Sequence, residues 1–433
     1  MRKYLRLLAV LATLVLFGAA CGDGDDDDGD GGAQGGGGKV SMIAKWTGSE
    51  LEAAEQVMDA FTEKTGIEVD LEGVGDQLPT ILSTRVEGGN PPDLAQLPQP
   101  GLLQDLASRD ALVSIEDVVG DAVDERYAPH WRDFGSHDGT LYGLWFKVAN
   151  KSTVWYDVNA FNDAGVEPPE TFEDWVTVSQ DLLDAGKTPL AVGGADGWVL
   201  SDWFENVYLR VAGAEKYQQL IDHEIPWTDQ SVKDTLAKMG ELLGKDEFLV
   251  NGSDGALQTG FQDSVKQVFG TNEAAILFEA DFVAGEIANE TEAEPETDFN
   301  FFGFPSIEGS PPAVVGGGDV VVMLNETDQA KELLEYLATA EAAEIWAGLG
   351  GFSSANTEVD LSVYPDEISR RAAEQLLGAE EFVFDLSDSV PAALGATEAA
   401  GIWGRLQDWL GNPEDIDGIT EKLEAEAAAA DAG

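Results

Sequence analysis

Three strand-like segments decide the fold of this chain: KVSMIAKW at residues 39–46, GIEV at 66–69 and DLAQ at 93–96. The stretches 49–65 and 78–86, which lie between them, carry apolar residues at helical spacing. This β-α-β-α-β order predicts a mostly parallel sheet with helices on both faces.

Two loops at one edge of this sheet are candidates for a binding site. They are residues 46–50, after the first strand, and 96–100, after the third. Because ligands of open α/β sheets bind beyond the carboxyl ends of the strands, we expect both loops to face a ligand. Farther along the chain, helical patterns cover 201–211, 330–347 and 415–430, and strand patterns cover 274–279, 299–305 and 319–323.

The N-terminus has the pattern of a secretory signal peptide over residues 1–20. Basic residues at 2, 3 and 6 precede an apolar stretch over 7–17, and Gly18-Ala19-Ala20 supplies small residues at a cleavage site. The apolar stretch falls short of the ~20 residues that a transmembrane helix needs.

Cys21 is the only cysteine, so an intrachain disulfide is excluded. Its position resembles a bacterial lipobox, although Gly18 stands where leucine is usual, and this resemblance predicts lipidation of Cys21. The alternative is an ordinary signal peptide that leaves a free thiol. Residues 22–38 contain only Gly, Asp, Ala and Gln, which predicts a disordered, extended tether for the anchored chain. A calcium loop is excluded there, because an EF-hand loop starting at Asp23 would require a glutamate at position 34.

The charge balance is strongly acidic, with 82 Asp and Glu against 24 Lys and Arg, a formal net charge of −58. Such a chain repels nucleic acid, so we expect no nucleic-acid partner. It also repels itself, and salt would screen that repulsion. A salt-adapted source and a merely compositional bias both fit this balance.

Catalytic patterns are missing from the sequence. His130, His137 and His223 have no metal-ligand spacing, and no G-x-S-x-G elbow occurs. The P-loop-like fragment at 185–188 lacks its earlier glycine, since position 181 is Asp. We therefore expect no enzyme activity, no metal and no cofactor, although a glycosidase-type carboxylate pair stays open among so many acids.

Aromatic residues beside turn residues suggest a sugar site. They are Trp145-Phe146, Trp155-Tyr156, Trp198, Trp203-Phe204 and Phe282. Aromatic faces stack on the C–H face of a sugar ring, although most aromatic side chains belong to cores. Trp198 and Trp203 are the best candidates, because Gly197 and Asp202 before them suggest a loop open to solvent.

One segment carries a family signature. It comprises Trp155-Tyr156-Asp157, Phe161, Ala164-Gly165, Pro168-Pro169, Thr171-Phe172 and Trp175. This segment resembles the Y-N-x-x-x-F-x-x-A-G-x-x-x-P-x-T-W motif of extracellular solute-binding proteins of family 1, the sugar receptors of ABC importers. Asp157 and Phe172 depart from the usual Asn and Trp. Further stretches resemble the family in the same order, namely 60–69, 91–93, 138–143, 330–339 and 350–352, while 147–156 and 315–319 resemble its α-glucoside-binding branch.

The resemblance implies an α/β fold of the type II periplasmic-binding-protein class, a two-lobe clamshell in which each lobe is a mostly parallel sheet flanked by helices. It implies an N-terminal lobe from 39–148 and 303–340 and a C-terminal lobe from 149–302 and 341–433. The implied ligand-binding residues are Trp46, Glu50, Gln96, Gln99, Trp145, Lys147, Trp198, Asp202, Trp203, Phe282, Gly317, Gly318 and Asp319. The glycines would bring backbone close to the sugar.

The implied function is capture of a carbohydrate, an α-glucoside or oligosaccharide, and its delivery to ABC permease subunits. The implied protein is a monomer, lipid-anchored on the extracytoplasmic face of the cell membrane. The alternatives are a receptor for a polyol or sugar phosphate, a secreted lipoprotein glycosidase, and a sensor or adhesion lipoprotein.

Overall fold

The computed structural model describes residues 37–395 and 399–431. The predicted signal peptide, Cys21 and nearly all of the predicted tether lie outside the described residues. No helix in the described part of the chain is long and apolar enough to cross a membrane.

Strands form at the three segments predicted near the N-terminus and at several later ones. Their bounds are β1 Lys39–Ala44, β2 Glu68–Gly73, β3 Leu94–Leu97, β4 Ser136–His137, β5 Thr140–Leu141, β6 Gly143–Asn150, β7 Thr153–Asp157, β8 Thr188–Ala191, β9 Ala274–Phe278, β10 Phe299–Gly303, β11 Val314–Met323 and β12 Phe382–Phe384.

The α-helices fill most of the remaining chain. Their bounds are α1 Gly48–Thr65, α2 Leu78–Glu87, α3 Pro100–Ser108, α4 Glu116–Arg126, α5 Pro129–Phe134, α6 Val158–Ala164, α7 Phe172–Asp184, α8 Trp198–Ile221, α9 Gln230–Met239, α10 Gly252–Ala256, α11 Phe261–Phe269, α12 Val283–Glu290, α13 Asp328–Leu337, α14 Ala340–Ala347, α15 Glu367–Leu377, α16 Leu386–Ser389, α17 Ala392–Gly395, α18 Gly401–Gly411 and α19 Ile416–Ala430. Short 3-10 turns lie at Gly75–Gln77, Gly194–Asp196, Asp246–Phe248 and Leu361–Val363.

Local sequence explains where the helices begin and end. The Asp157 side chain accepts hydrogen bonds from the backbone of Asn159 and Ala160 and so starts α6. Gly165 ends the same helix at φ 69°, a conformation that glycine adopts without strain. The single helix predicted over 330–347 is two helices, because the Thr339 side chain caps Ala342 N and starts α14 anew.

Two main sheets organise the molecule. The first has the order β12-β11-β3-β1-β2, with β6 also paired to β11, and the second has the order β10-β7-β9-β8. The expectation that both sheets are mostly parallel is wrong for the second, in which β10–β7 and β7–β9 are antiparallel. In the first, β11 runs antiparallel to β3 and β6. The reason is the path of the chain, since β6 leads out of the first sheet into β7 and β10 leads back to β11.

Each sheet has its own hydrophobic core. The first core gathers buried residues from 40–148 and 320–376 together with Phe384, and the second gathers residues from 154–315 and 386–427 together with Ile368 and Ala372. The connections between the cores therefore lie near 151, between 315 and 320, and near 385. This packing differs from the expected boundaries at both later crossings, because 304–315 pack in the second core and 342–364 pack in the first.

Candidate functional site

A cavity of about 410 Å³ lies between the two cores. Its volume is within the ~300–1,000 Å³ typical of small-molecule sites. Residues from the loop after β1, α1, β6 and β11 line one wall, and residues from α8, α11, α12 and α18 line the other. A ligand in this cavity would touch both cores at once.

A hydrogen-bonded network of charges lies on the first wall. The Lys147 ammonium contacts Glu50 Oε1 and lies 3.8 Å from Asp319 Oδ2. Trp46 Nε1 donates to Asp319 Oδ2 at 2.7 Å, and Gln96 Nε2 donates to Asp319 Oδ1 at 2.8 Å. Such a network fixes donors and acceptors in position before a ligand arrives.

The charges of this network are mutually dependent. Burial opposes the charge of Lys147, but the carboxylates of Glu50 and Asp319 outweigh it and raise the pKa of Lys147. Burial raises the pKa of Asp319, an effect that the Lys147 charge opposes. Lys147 therefore remains an ammonium whose charge is already balanced by protein carboxylates.

Aromatic rings from both cores border the cavity. Trp46 and Trp346 meet edge to face with ring centroids 5.1 Å apart. From the opposite wall, Phe282 lies 6.1 Å from Trp198 and 5.4 Å from Phe261. Lys147 Nζ lies 5.6 Å from the rings of both Phe282 and Trp346, so the ammonium sits between the two walls.

The second wall adds carboxyl groups. Asp196 Oδ2 accepts the backbone N–H of Phe261 at 2.7 Å and so positions α11. Burial and the Asp385 charge raise the pKa of Asp388 to about 7. The Gln99 side chain hydrogen-bonds Asp388 across the cavity, and its own Oε1 is buried without a hydrogen-bond partner.

Eight of the residues expected from the sequence line the cavity. They are Trp46, Glu50, Gln99, Lys147, Trp198, Phe282, Gly318 and Asp319. Gln96 lies behind them and orients Asp319, with its own Oε1 accepting Lys45 N at 2.7 Å.

Four further expected residues do not line the cavity. Trp203 stacks on Trp175 in the second core with centroids 5.1 Å apart. Trp145 packs against Trp131 in the first core. Asp202 is buried beside Lys151, 3.1 Å from its ammonium. The packing around these three residues therefore keeps them from a ligand in the cavity.

Gly317, the fourth, serves the fold. A Cβ at Gly317 would lie 2.7 Å from Lys151 Cε, and one at Gly316 would lie 2.2 Å from the Phe382 ring. The glycine run in β11 thus makes room for side chains of its neighbours, and only Gly318 reaches the cavity.

Several cavity residues escaped the sequence analysis. They are Phe261, Glu286, Trp346, Asp388 and Trp403. These residues lie in segments that are far apart in the sequence. Apart from their residue types, no sequence pattern marked them as binding residues. Trp403 is held against the turn before α8, where a Cβ at Gly197 would lie 2.8 Å from Trp403 Cβ.

The arrangement suits a neutral, polyhydroxylated ligand. Flat rings offer stacking surfaces, and the carboxylates, the amide of Gln99 and the backbone offer acceptors and donors for hydroxyl groups. Lys147 and Lys151, two lysines of the lining, are both paired with protein carboxylates. An anionic ligand would therefore meet no uncompensated charge from either of them.

The chain is similar to known binding proteins. A family model described as bacterial extracellular solute-binding protein matches residues 46–344. The chain is 36% identical over 385 residues to the osmoprotective compounds-binding protein GgtB of Synechocystis sp., covering 87% of this chain and 89% of that protein. It is 30% identical over 403 residues to the alpha-glucosides-binding periplasmic protein AglE of Rhizobium meliloti, covering 88% and 85%.

A solved structure shows the same fold. The bacterial solute receptor AcbH, described as having an exclusive preference for β-D-galactopyranose, matches with a TM-score of 0.80 at 20% identity, covering 91% of this chain and 99% of that one. The two-lobe α/β fold expected from the sequence is thereby confirmed.

Proposed function

Because the chain belongs to the bacterial extracellular solute-binding proteins, the receptors of ABC importers, we propose that it captures a neutral α-glucoside or short oligosaccharide between its lobes and delivers it to a permease. In this proposal the lobes comprise residues 37–150 with 318–384 and residues 152–315 with 386–395 and 399–431.

The observation that carries the proposal is the two-walled cavity itself. Trp46 and Trp346 belong to one core, and Trp198 and Phe282 pack against the other. A sugar ring between these walls would contact both lobes only when they are closed, so binding would shift the equilibrium toward the closed form. The Lys147–Glu50–Asp319 network would then meet the ring hydroxyls on one wall.

Thermal-shift measurement against a panel of neutral sugars tests the proposal. A ligand present at about 100 times its Kd stabilises the folded state by about 2.7 kcal/mol, which raises Tm clearly. Maltose, trehalose, sucrose and maltotriose form the core of the panel, and maltose 1-phosphate is the anionic counterpart. We expect a rise with at least one neutral sugar and none with the phosphate. No response to any sugar, or chromatographic evidence that the protein hydrolyses one, would contradict a sugar receptor.

A second candidate ligand is an osmoprotective solute. The 36% identity to an osmoprotective compounds-binding protein favours it, and glycosylated polyols share the hydroxyl chemistry that the cavity suits. Adding such compounds to the same panel separates the two candidates by their relative affinities in calorimetric titration.

We also propose that Cys21 carries the lipid anchor, which places the receptor on the extracytoplasmic face of the membrane. Stable anchoring of a protein on a membrane takes more than one acyl chain, because a single chain binds weakly. Because Cys21→Ser removes the site to which the acyl chains would be attached, it should release the protein from the membrane fraction, as fractionation and immunoblotting would show. Membrane partitioning equal to that of the wild type would refute lipidation.

A further inference from the structure

A buried charge cluster lies where the chain passes between the two cores. Lys151 follows β6 at the first connection, and Asp385 follows β12 at the last. The Lys151 ammonium contacts Asp385 Oδ2 and lies 3.1 Å from Oδ1 of Asp202, a residue of α8. The cluster thus fastens two connecting segments to a helix of the second core.

Carboxyl groups outnumber cations in this cluster. Glu205, Glu279 and Asp388 join Asp202 and Asp385 around the charge of Lys151, and Lys45 acts on Asp388 as well. So many ionised carboxylates would be costly away from water, because burial penalises each unpaired charge by several kcal/mol. Some of these groups must therefore hold protons or another cation.

Hydrogen bonds account for two of the carboxylates. Glu205 accepts the backbone N–H groups of Leu386 and Ser387, at 2.9 and 3.0 Å, and the Tyr217 hydroxyl at 3.0 Å. Asp385 accepts Ser387 Oγ at 2.9 Å and Asp388 N at 2.8 Å. Both groups are satisfied as carboxylates, and neither needs a proton for its hydrogen bonds.

Asp202 and Glu279 are different. Asp202 Oδ2 and Glu279 Oε1 are buried and have no hydrogen-bond donor, whereas the other oxygen of each group has one, from Lys151 and from Ala280 N. The two carboxyl groups lie within hydrogen-bond distance of each other. Two ionised carboxylates at this distance repel strongly in a dry site, but one shared proton turns the repulsion into a hydrogen bond and satisfies both oxygens.

We propose that Asp202 and Glu279 share one proton, and that this acid pair keeps the Lys151–Asp385 connection docked on α8. Loss of the proton would add a second charge to the pair, with Asp385 and Glu205 close by and Lys151 to offset it. The connecting segments would then be held less firmly. This inference goes beyond the proposed function and does not depend on the identity of the ligand.

The groups around the pair set the direction of the pH effect. Burial raises the pKa of Asp202 well above its usual value and that of Glu279 to about 7, while Lys151 opposes both shifts and Asp385 adds to them. Glu205 faces the pair from α8, and Asp388 faces Lys151 from α16. Because the folded pKa of Glu279 exceeds its unfolded value of 4.5, its contribution to stability is complete below that value and is lost as the pH rises through about 7.

Glu279→Gln is the informative variant. Its amide can donate to Asp202 Oδ2 while its carbonyl oxygen still accepts from Ala280 N, so the hydrogen bond persists without a titrating proton. We expect the unfolding constant of the wild type to rise relative to that of the variant by up to about tenfold per pH unit between about pH 5 and pH 7. Urea unfolding over this range measures the difference. The exposed Glu292→Gln is the control, and its profile should parallel that of the wild type.

Three results would overturn the proposal. The first is a pH profile of Glu279→Gln parallel to that of the wild type. The second is a rise in Tm of the EDTA-treated wild type, but not of the variant, on adding CaCl₂ or MgCl₂, which would assign the pair to a metal ion. If the variant does not fold, infrared titration of the wild type decides, because a shared proton requires the band of a protonated carboxyl at about pH 5. Absence of that band at this pH is the third.

Discussion

Trp198 and Trp203 lie on the same helix and have opposite surroundings. Five residues along an α-helix turn the side chain by about 140°, so the two rings point in different directions. Trp203 is buried among Trp175, Phe278 and Phe304, whereas Trp198 is partly exposed and lines the cavity. The two residues therefore form a matched pair for separating stability from binding.

We predict opposite effects of alanine at these two positions. Trp198→Ala should weaken sugar binding by about 1–3 kcal/mol, roughly ten- to hundredfold in Kd, with a small loss of stability. Trp203→Ala should lower the free energy of unfolding by about 3–5 kcal/mol with or without sugar. Calorimetric titration alongside urea unfolding measures both. A Trp198→Ala protein that binds at wild-type affinity would remove this ring from the site.

Sequence reasoning located the scaffold better than it located individual side chains. The order of elements from β1 to β3 follows from apolar spacing, and loops 46–50 and 96–100 do reach the cavity through Trp46, Glu50 and Gln99. Trp203 was misplaced because the helix begins at Trp198 rather than after it, so that helix phase, not a loop, decides which ring faces the cavity.

Trp145 was misplaced for a related reason. All eight residues of β6 are buried, so the alternation that separates the two faces of a strand is invisible in its composition. A bulge opposite Asp319 and Val320 then separates Trp145, in the core, from Lys147, at the cavity. Neither the bulge nor the partner strand β11, far away in the chain, could be inferred from the local sequence.

At the scale of elements, the start of α9 depends on one carboxylate. Asp229 Oδ1 accepts Ser231 N at 2.9 Å and Ser231 Oγ at 2.6 Å, and Lys216 Nζ lies 3.1 Å away. The hydrogen bonds from Ser231, with help from Lys216, lower the pKa of Asp229 to about 2. The Asp229 side chain therefore caps α9 as a carboxylate at all pH values well above 2.

Asp229→Ala should destabilise the protein by about 1–2 kcal/mol at neutral pH, because the first turn of α9 loses its cap. The folded pKa lies below the unfolded value of 3.8, so this contribution is present above that value and fades as the pH falls through about 2. Urea unfolding from pH 7 downward measures the difference. Asp234→Ala, an exposed change on the same helix, should cost much less, and an equal cost would argue against the cap.

Helix α12 and the turn after α14 meet across the cavity mouth at two glycines. A Cβ at Gly285 would lie 3.1 Å from Gly351 Cα, tighter than ordinary contact. Gly285→Ala should therefore oppose lobe closure and weaken sugar binding by about tenfold. The unliganded protein should lose no stability, since alanine favours a helix over glycine by about 1 kcal/mol. Unchanged affinity in calorimetric titration would refute contact-limited closure.

The control for this change is another helical glycine. Gly411 ends α18, and a Cβ there would meet only Leu257 Cδ1 at 3.7 Å, an ordinary contact. Gly411→Ala should leave sugar affinity as it is in the wild type, so that a loss confined to Gly285→Ala reports on closure.

For the whole molecule, charge dominates the response to salt. With 82 acidic and 24 basic side chains, most carboxylates have no cation to pair with, and the formal net charge is −58. Many of the ion pairs are exposed, such as Lys39 with Asp70 at 2.9 Å, so they contribute little to stability. We predict that Tm rises as NaCl increases from about 0.01 M to about 1 M, over which the screening length falls from ~30 Å to ~3 Å. Tetramethylammonium chloride should act alike if screening is the cause, and a flat or falling curve would show that self-repulsion does not limit stability.

The pairing of β3 with β11 has a consequence for how the chain reaches this structure. Leu94–Leu97 pairs with Val320–Met323, and most of the second core lies between them in the sequence. Such a non-local contact carries a large loop-closure entropy and slows folding. While the chain is being made, β3 must wait with an open edge, a known hazard for aggregation. The lobe that starts the chain is thus completed only after most of the other lobe has been synthesised, and a chain truncated before β11 would leave the first sheet unfinished.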